Sequence, residues 1–321
     1  MDTRDLRLTA IRYEAQGIHA FEFRAPDGAA LPPVEAGAHI DIHLPGNLVR
    51  SYSLCNAPGE RHRHVVAVNR DAASRGGSRA MHEVLRVGQL VKVAGPRNHF
   101  ALDEGAPHSV LIAGGIGITP LWCMVQRLAQ LGRPWTLWYS ARTRAQAAFV
   151  TELEALAAQC AGSGGTLHLN FDQAPGGRML DLAEVVAASP ADAHLYCCGP
   201  LPMLAAFEAA TAPLPPARVH VEYFAAREAP ALGGGFTVEL ARSGLRLPVP
   251  PGKSILDVML EAGVDVPYSC CDGICASCET RVLSGIPDHR DQILSAQEQA
   301  ANKVMMVCCS GSKSEVLVLD R

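Results

Sequence analysis

With 321 residues and 48% hydrophobic content, the chain is long enough for two or three packed domains. Its formal net charge of −4 offers no basic stripe for nucleic acid, and no apolar run approaches the roughly twenty residues of a membrane span. No secretory signal pattern is read at its start, so a soluble, cytoplasmic protein in a thiol-reducing compartment is expected.

The first hundred residues read as a regular series of short strands: Leu6–Tyr13, His19–Arg24, His39–Leu44, Arg50–Cys55, His64–Arg70 and Leu90–Ala94. Alternation is clearest at His39–Leu44, where Ile40, Ile42 and Leu44 share a face. Pro- and Gly-containing stretches separate several of them, and one helix is expected over Gly77–Leu85. This is the pattern of an antiparallel β-barrel over 1–104.

From about residue 105 strands alternate with helices, as in an α/β domain with a parallel sheet, placed at 105–225. Strands are expected at Ser109–Ala113, Trp135–Ser140, Thr166–Asn170 and His194–Cys198. Helices are expected at Leu121–Leu131, Gln146–Ala158, Asp181–Val186 and Pro202–Ala209. A small, Pro-containing stretch ending in Gly233-Gly234-Gly235 reads as a linker over 226–235.

The last domain, 236–321, opens with a hairpin, Phe236–Leu240 and Leu245–Val249, and a helix capped by Ser254 and ended by Gly263. It then carries Cys270, Cys275 and Cys278, followed by Cys308. The spacing C-x4-C-x2-C with a distant fourth Cys is that of a plant-type [2Fe-2S] centre, and the preceding hairpin and helix match a β-grasp ferredoxin. A zinc ribbon normally supplies two CxxC pairs, and only Cys275 and Cys278 form one here. Cys271 and Cys309 adjoin candidate ligands; the spacing and the thirty-residue separation select Cys270 and Cys308. Gly273, Ala276 and Ser277 are small enough for backbone N–H groups to turn toward the sulfurs. The twelve His form no HExxH motif, the one HxxxH spacing, His39 to His43, falls in an expected strand, and no His enters the mechanism.

Two other motifs carry chemistry. In Arg50-Ser51-Tyr52-Ser53 an Arg, an aromatic ring and hydroxyls share one strand, suited to a phosphate and a flat ring. On an edge strand such residues are more often structural, but Arg75-Gly76-Gly77-Ser78 adds a glycine turn at a helix start, where a phosphate also binds. Gly114-Gly115-Ile116-Gly117 joins a strand to a helix and suits a dinucleotide pyrophosphate without the full GxGxxG spacing; it serves equally as a packing device. Cys197-Cys198-Gly199-Pro200 ends a later strand, where Cys198 is either a buried thiol or a neighbour of the nicotinamide.

RSYSL, RGGS, GGIGITP, CCGP, VEYF and the Cys loop occur in one order. In this the chain resembles the phthalate dioxygenase reductase and vanillate demethylase reductase family of the ferredoxin reductase superfamily. The resemblance covers almost the whole chain. It implies an FMN-binding barrel, an NADH-binding domain and a C-terminal [2Fe-2S] ferredoxin. It implies FMN contacts from Arg50, Ser51, Tyr52, Ser53, Ala67, Val68, Asn69, Arg75, Gly76, Gly77, Ser78, Thr119 and Phe224. It implies NADH contacts from Gly114, Gly115, Gly117, Thr119, Pro120, Cys198, Gly199 and Pro200, with Cys198 and Thr119 nearest the chemistry. Cys271, Cys309 and Gly311, the last in place of a frequent Arg, depart from the family pattern.

The resulting expectation is a monomeric NADH-dependent reductase that passes electrons through FMN and the cluster to the Rieske centre of a partner oxygenase. Arg142 and Arg144 leave NADPH open as the donor. The alternatives are another acceptor, such as a diiron monooxygenase or a soluble carrier, or a redox sensor. Relatives serving diiron enzymes usually place the ferredoxin first, which speaks against that case.

Overall fold

The structure, a computed structural model, describes residues 3–321 apart from positions 47 and 73. It contains two compact units, Met1–Phe224 and Ala225–Arg321.

The first unit begins with β1 (Thr3–Ala15), β2 (Ile18–Arg24), β3 (His39–Leu44), β4 (Leu48–Ser53) and β5 (His64–Asn69), followed by the short helix α1 (Gly77–Glu83) and β6 (Leu90–Arg97). These strands pair antiparallel in the order β4-β3-β6-β1-β2-β5, and Leu54 bridges to Val66 across the two edges. The alternation in β3 does not mark a solvent face. Asp41, opposite Ile40 and Ile42 on the pleat, is as buried as they are, because Ser51 Oγ donates to it at 2.7 Å and Arg97 pairs with it.

A parallel sheet follows: β7 (Ser109–Gly114), α2 (Ile118–Leu131), β8 (Trp135–Ala141), α3 (Val150–Cys160), β9 (Gly165–Phe171), α4 (Leu182–Ala187), β10 (His194–Cys198), α5 (Leu201–Thr211) and β11 (Val219–Glu222). The strand order is β11-β10-β7-β8-β9. Both faces of β7 are buried. Leu111 and Ala113 join the core shared with the antiparallel sheet, and Val110 and Ile112 join a second core under α4 and α5. Starting from β7 the chain winds first to one side and then to the other, so the β7/β10 boundary is a topological switch point.

The second unit comprises β12 (Phe236–Leu240), β13 (Leu245–Val249), α6 (Ile255–Glu261), β14 (Glu279–Ser284), β15 (Pro287–Asp288), α7 (Ala296–Ala301), β16 (Val304–Met306), β17 (Gly311–Ser312) and β18 (Val316–Leu319). Its mixed sheet has the order β13-β12-β18-β14-β16, with β12 and β18 parallel, and α6 packs beside it as in a β-grasp. Ser254 and Asp257 close a full capping box on α6, and Gly263 has φ 75° where that helix ends. The stretch read as a linker is held by this unit over part of its length: the Ala231 N–H donates to Cys309 O at 2.8 Å, and Gly252 N–H to Leu232 O at 2.8 Å.

Candidate functional site

In the first unit the expected residues converge from separate segments. Arg50, on β4, crosses the start of α1. A Cβ added to Gly77 would lie 2.7 Å from Arg50 Cγ, and Arg50 Nη2 donates to Arg75 O at 3.2 Å. The strand motif and the glycine turn therefore form one cradle. Glycine is needed at position 77 for contact, whereas Gly76 takes φ 95° as the N-cap residue. Helix α1 has seven residues, too few for a strong dipole, so a phosphate here would depend on Arg50 and the turn N–H groups. Ser78 and Ser74 hydroxyls lie 3.0 Å apart within the turn, and His82 bonds Val68 O at 2.9 Å, tying α1 to β5. Ala67 and Val68 are buried in β5, and Asn69 is exposed at its end. Tyr52 is half-buried, and burial pushes its phenol above the ordinary value. Phe224 is an exposed aromatic just past β11.

At the switch point two turns pack backbone to backbone. A Cβ on Gly117 would stand 2.1 Å from Cys198 O, and one on Gly114 would stand 2.7 Å from Pro200 Cδ. Gly199 lies against Gly114 in the same way. Packing thus explains the glycines at 114 and 117. Gly115 differs: its φ is +55° and nothing lies within 4 Å of an added Cβ, so it is the glycine of the turn that borders open space. Beyond it, α2 begins with no acidic residue in its first turn, which leaves its N-terminal N–H groups suited to an anion. Thr119, buried in that first turn, donates its hydroxyl to Ile116 O at 3.0 Å, and Pro120 follows it.

Cys198 is fully buried at the end of β10, opposite Glu222 of β11 and Ala113 of β7. Burial pushes its thiol well above the ordinary value, and the carboxyl of Glu222 adds to the rise, so it stays a neutral thiol. Glu222 is a candidate site residue that motif reading passed over. Its carboxyl is hydrogen-bonded to Ser53, its Oε2 is buried with no partner, and burial raises its pKa to about 8. A carboxyl that holds its proton to a higher pH than usual therefore stands beside Ser53 of β4 and Cys198 of β10. Its orphan oxygen marks a place where a ligand's polar edge would satisfy it. Sequence held one signal, the Glu of VEYF, without a reason to assign it a role.

In the second unit Cys270, Cys275, Cys278 and Cys308 are all buried, and Cys271 is exposed. The Asp272 and Ile274 N–H groups donate to Cys270 Sγ at 3.3 and 3.4 Å, and the Cys270 N–H donates to Cys275 Sγ at 3.5 Å. Turning the backbone this way uses three left-handed residues, Cys271 (φ 56°), Gly273 (φ 70°) and Ala276 (φ 57°). Two of the three carry a Cβ and are strained, as functional loops often are. Ser277 Oγ lies 3.2 Å from Cys275 Sγ. The thiols form a linked series, Cys275 to Cys270 to Cys308 to Cys278. Cys270 is held far below the thiol range by bonds from Cys275 and Cys308, and those two are pushed up because each shares its proton with Cys270. Among the described residues no three His, Cys, Asp or Glu converge as a single ion requires. A series of four suits two irons sharing four thiolates.

Comparison with known proteins agrees with this geometry. Residues 238–312 match the model of the 2Fe-2S iron-sulfur cluster binding domain, and residues 111–209 match the oxidoreductase NAD-binding domain. The chain is 58% identical to phenoxybenzoate dioxygenase subunit beta of Ectopseudomonas oleovorans over 98% of its own length and 96% of the relative's. It is 50% identical to tetrachlorobenzoquinone reductase of Sphingobium chlorophenolicum over 100% and 98% of the two chains. The solved structure of phthalate dioxygenase reductase superposes with a TM-score of 0.76 at 38% identity, covering 99% of this chain and 98% of that one. The chain belongs to the phthalate dioxygenase reductase and vanillate demethylase reductase family. It is an NADH-dependent oxidoreductase, built from an antiparallel barrel, a parallel α/β sheet and a [2Fe-2S] β-grasp domain. Among the described residues no helix is long and apolar enough to cross a membrane.

Proposed function

We propose that the chain is the reductase component of a Rieske-type oxygenase, taking electrons from NADH at an FMN site in its first unit and releasing them from a [2Fe-2S] cluster in its second. One observation carries this reading: a glycine turn at a switch point and the cradle of Arg50 and Gly77 share a chain with four buried thiols, three of them in one loop. When bound, FMN accepts a hydride from the nicotinamide and gives up its electrons singly, which is what a [2Fe-2S] centre requires. Arg50 and the Gly76-Gly77 turn would hold the phosphate, and Tyr52 would cover the ring. Ser53 and protonated Glu222 would face its polar edge. Cys198 and Thr119 would bound the nicotinamide, Cys198 as a neutral group that aligns it and Thr119 by fixing the turn. Cys270, Cys275, Cys278 and Cys308 would ligate the cluster.

The oxygenase as acceptor is supported by relatives named for dioxygenase and demethylase systems. A second reading keeps the donor half and gives the electrons to a benzoquinone. It is favoured by the 50% identity to tetrachlorobenzoquinone reductase over the full chain. Rapid mixing with NADH should bleach the flavin first and the cluster second, and oxidised Rieske oxygenase should then reoxidise the cluster. Faster reoxidation by a halogenated benzoquinone than by any Rieske oxygenase would favour the second reading. Absence of steady turnover with any acceptor would overturn both. Mass measurement of the heat-released flavin decides FMN, and an FAD mass would make that assignment wrong.

A further inference from the structure

The cluster region contains two pairs of adjacent cysteines, and the fold treats the spare member of each differently. Cys271 is exposed, in a left-handed backbone conformation that turns it away from its neighbour's surroundings. Cys309 is buried, 2% exposed, in the same core as Cys278 and Cys308. Its sulfur points into the ligand loop: a Cβ built on Gly273 would meet Cys309 Sγ at 2.5 Å. It also touches the Cys308 thiol. Only weak contacts engage it otherwise, to Met306 O at 3.7 Å and to Ser310 Oγ at 3.9 Å.

We propose that Cys309 is a reserve ligand, able to take the fourth cluster position when the Cys308 thiolate is lost. The proposal rests on Cys308 being the resident fourth ligand. A soft thiolate is the donor that iron-sulfur chemistry selects, and the Cys309 sulfur already lies against Gly273 of the loop. The segment that must shift is short. Cys309 and Ser310 N–H groups both donate to Met306 O, at 3.3 and 3.0 Å, closing a turn that carries 308 and 309 together. A small rotation of that turn exchanges one sulfur for its neighbour, since consecutive Cα atoms are only about 3.8 Å apart. Gly273 leaves the space in which the second sulfur already sits. Position 311 is part of the same arrangement. An added Cβ there would meet Ala231 Cβ at 2.9 Å, so the strap at Ala231 packs where a larger residue would stand.

The test uses the full-length protein and measures iron, sulfide, visible absorbance and the electron paramagnetic resonance of the reduced cluster. Alanine is the substitution, so that no serine oxygen replaces the lost sulfur. Cys309→Ala should keep about two irons per chain and an unchanged spectrum. Cys308→Ala should also keep its iron, with shifted g-values, and Cys308→Ala/Cys309→Ala should lose it. Iron-free Cys308→Ala beside an intact Cys309→Ala would overturn the proposal and leave Cys309 a packing thiol. Loss of the cluster in Cys309→Ala with retention in Cys308→Ala would overturn the underlying ligand assignment instead. Urea unfolding of Cys308→Ala, followed by far-ultraviolet dichroism, separates ligand loss from misfolding: a cooperative transition with no iron counts against the proposal. If that variant is unfolded, Cys308→Ser is compared with Cys308→Ser/Cys309→Ala: loss of iron only in the double variant supports the proposal, and iron kept in both, held by the serine oxygen, overturns it.

Discussion

In the 225–321 unit three of the four candidate cluster thiols lie within Cys270–Cys278, and the loop's own N–H groups bond the sulfurs of Cys270 and Cys275. In the 1–224 unit the candidate site is gathered from five separate segments, Arg50–Ser53, Gly76–Ser78, Gly114–Thr119, Cys198–Pro200 and Glu222. The first arrangement is local and depends on spacing. The second is held by close backbone approach and by burial, so its weak points are glycines and a buried acid rather than a motif. Damage to one should therefore leave the other readable, and graded damage should follow different rules in each.

The largest effect should come from Cys275→Ala. It should remove the cluster absorbance completely while NADH still bleaches the flavin, and loss of both spectra would break the contrast between the units. Next, Gly117→Ala forces a Cβ to 2.1 Å from the Cys198 carbonyl oxygen, where backbone meets backbone and neither yields. It should destabilise the first unit by about 1–3 kcal/mol and raise the dissociation constant for NAD, with the cluster spectrum unchanged. Thermal melts followed through each chromophore check this.

Arg50→Ala removes one charged hydrogen-bonding group from the cradle and should weaken flavin retention by about 1.5–3 kcal/mol, measured by equilibrium dialysis. Unchanged retention would move the phosphate elsewhere. The subtlest readout is a pH profile, because it concerns a slope rather than a loss. Glu222 titrates near pH 8 in the folded chain against an ordinary value of 4.5, so the folded form holds an extra proton between those values. Stability therefore falls as pH rises through this window, most of the loss being complete once pH passes about 8. Glu222→Gln keeps an acceptor for Ser53 and removes the titration. Its urea midpoint should vary less between pH 5 and 9 than the parent's, and an equal slope would remove Glu222 from the pH dependence. The limiting rate of flavin reduction should lose any inflection near pH 8.

Strands rich in β-branched residues were legible, as at His64–Asn69 and Ser109–Gly114, because burial on both faces leaves a continuous apolar run. Helix α3 was read four residues early. Arg144–Gln146 forms a separate turn, and Phe149 adopts φ 60° before the helix begins at Val150, which composition does not reveal. Strand β11 was missed: Val219-His220-Val221-Glu222 alternates, but four residues are too short a run to stand out, and pairing with β10 makes them a strand.

Sequence by itself determined the four-thiol spacing, the order of the three sheets and the two glycine turns, since each depends on residues close together in the chain. Tertiary structure alone decided which spare cysteine faces solvent and which faces the loop. It alone turned Asp41 and Glu222, ordinary strand carboxylates by sequence, into a buried partner of Ser51 and Arg97 and a protonated acid beside Ser53. The physical reason is that burial belongs to the surroundings of a residue. Those surroundings come from strands β4 and β10, far from Glu222 in the chain or tied to it only by sheet pairing.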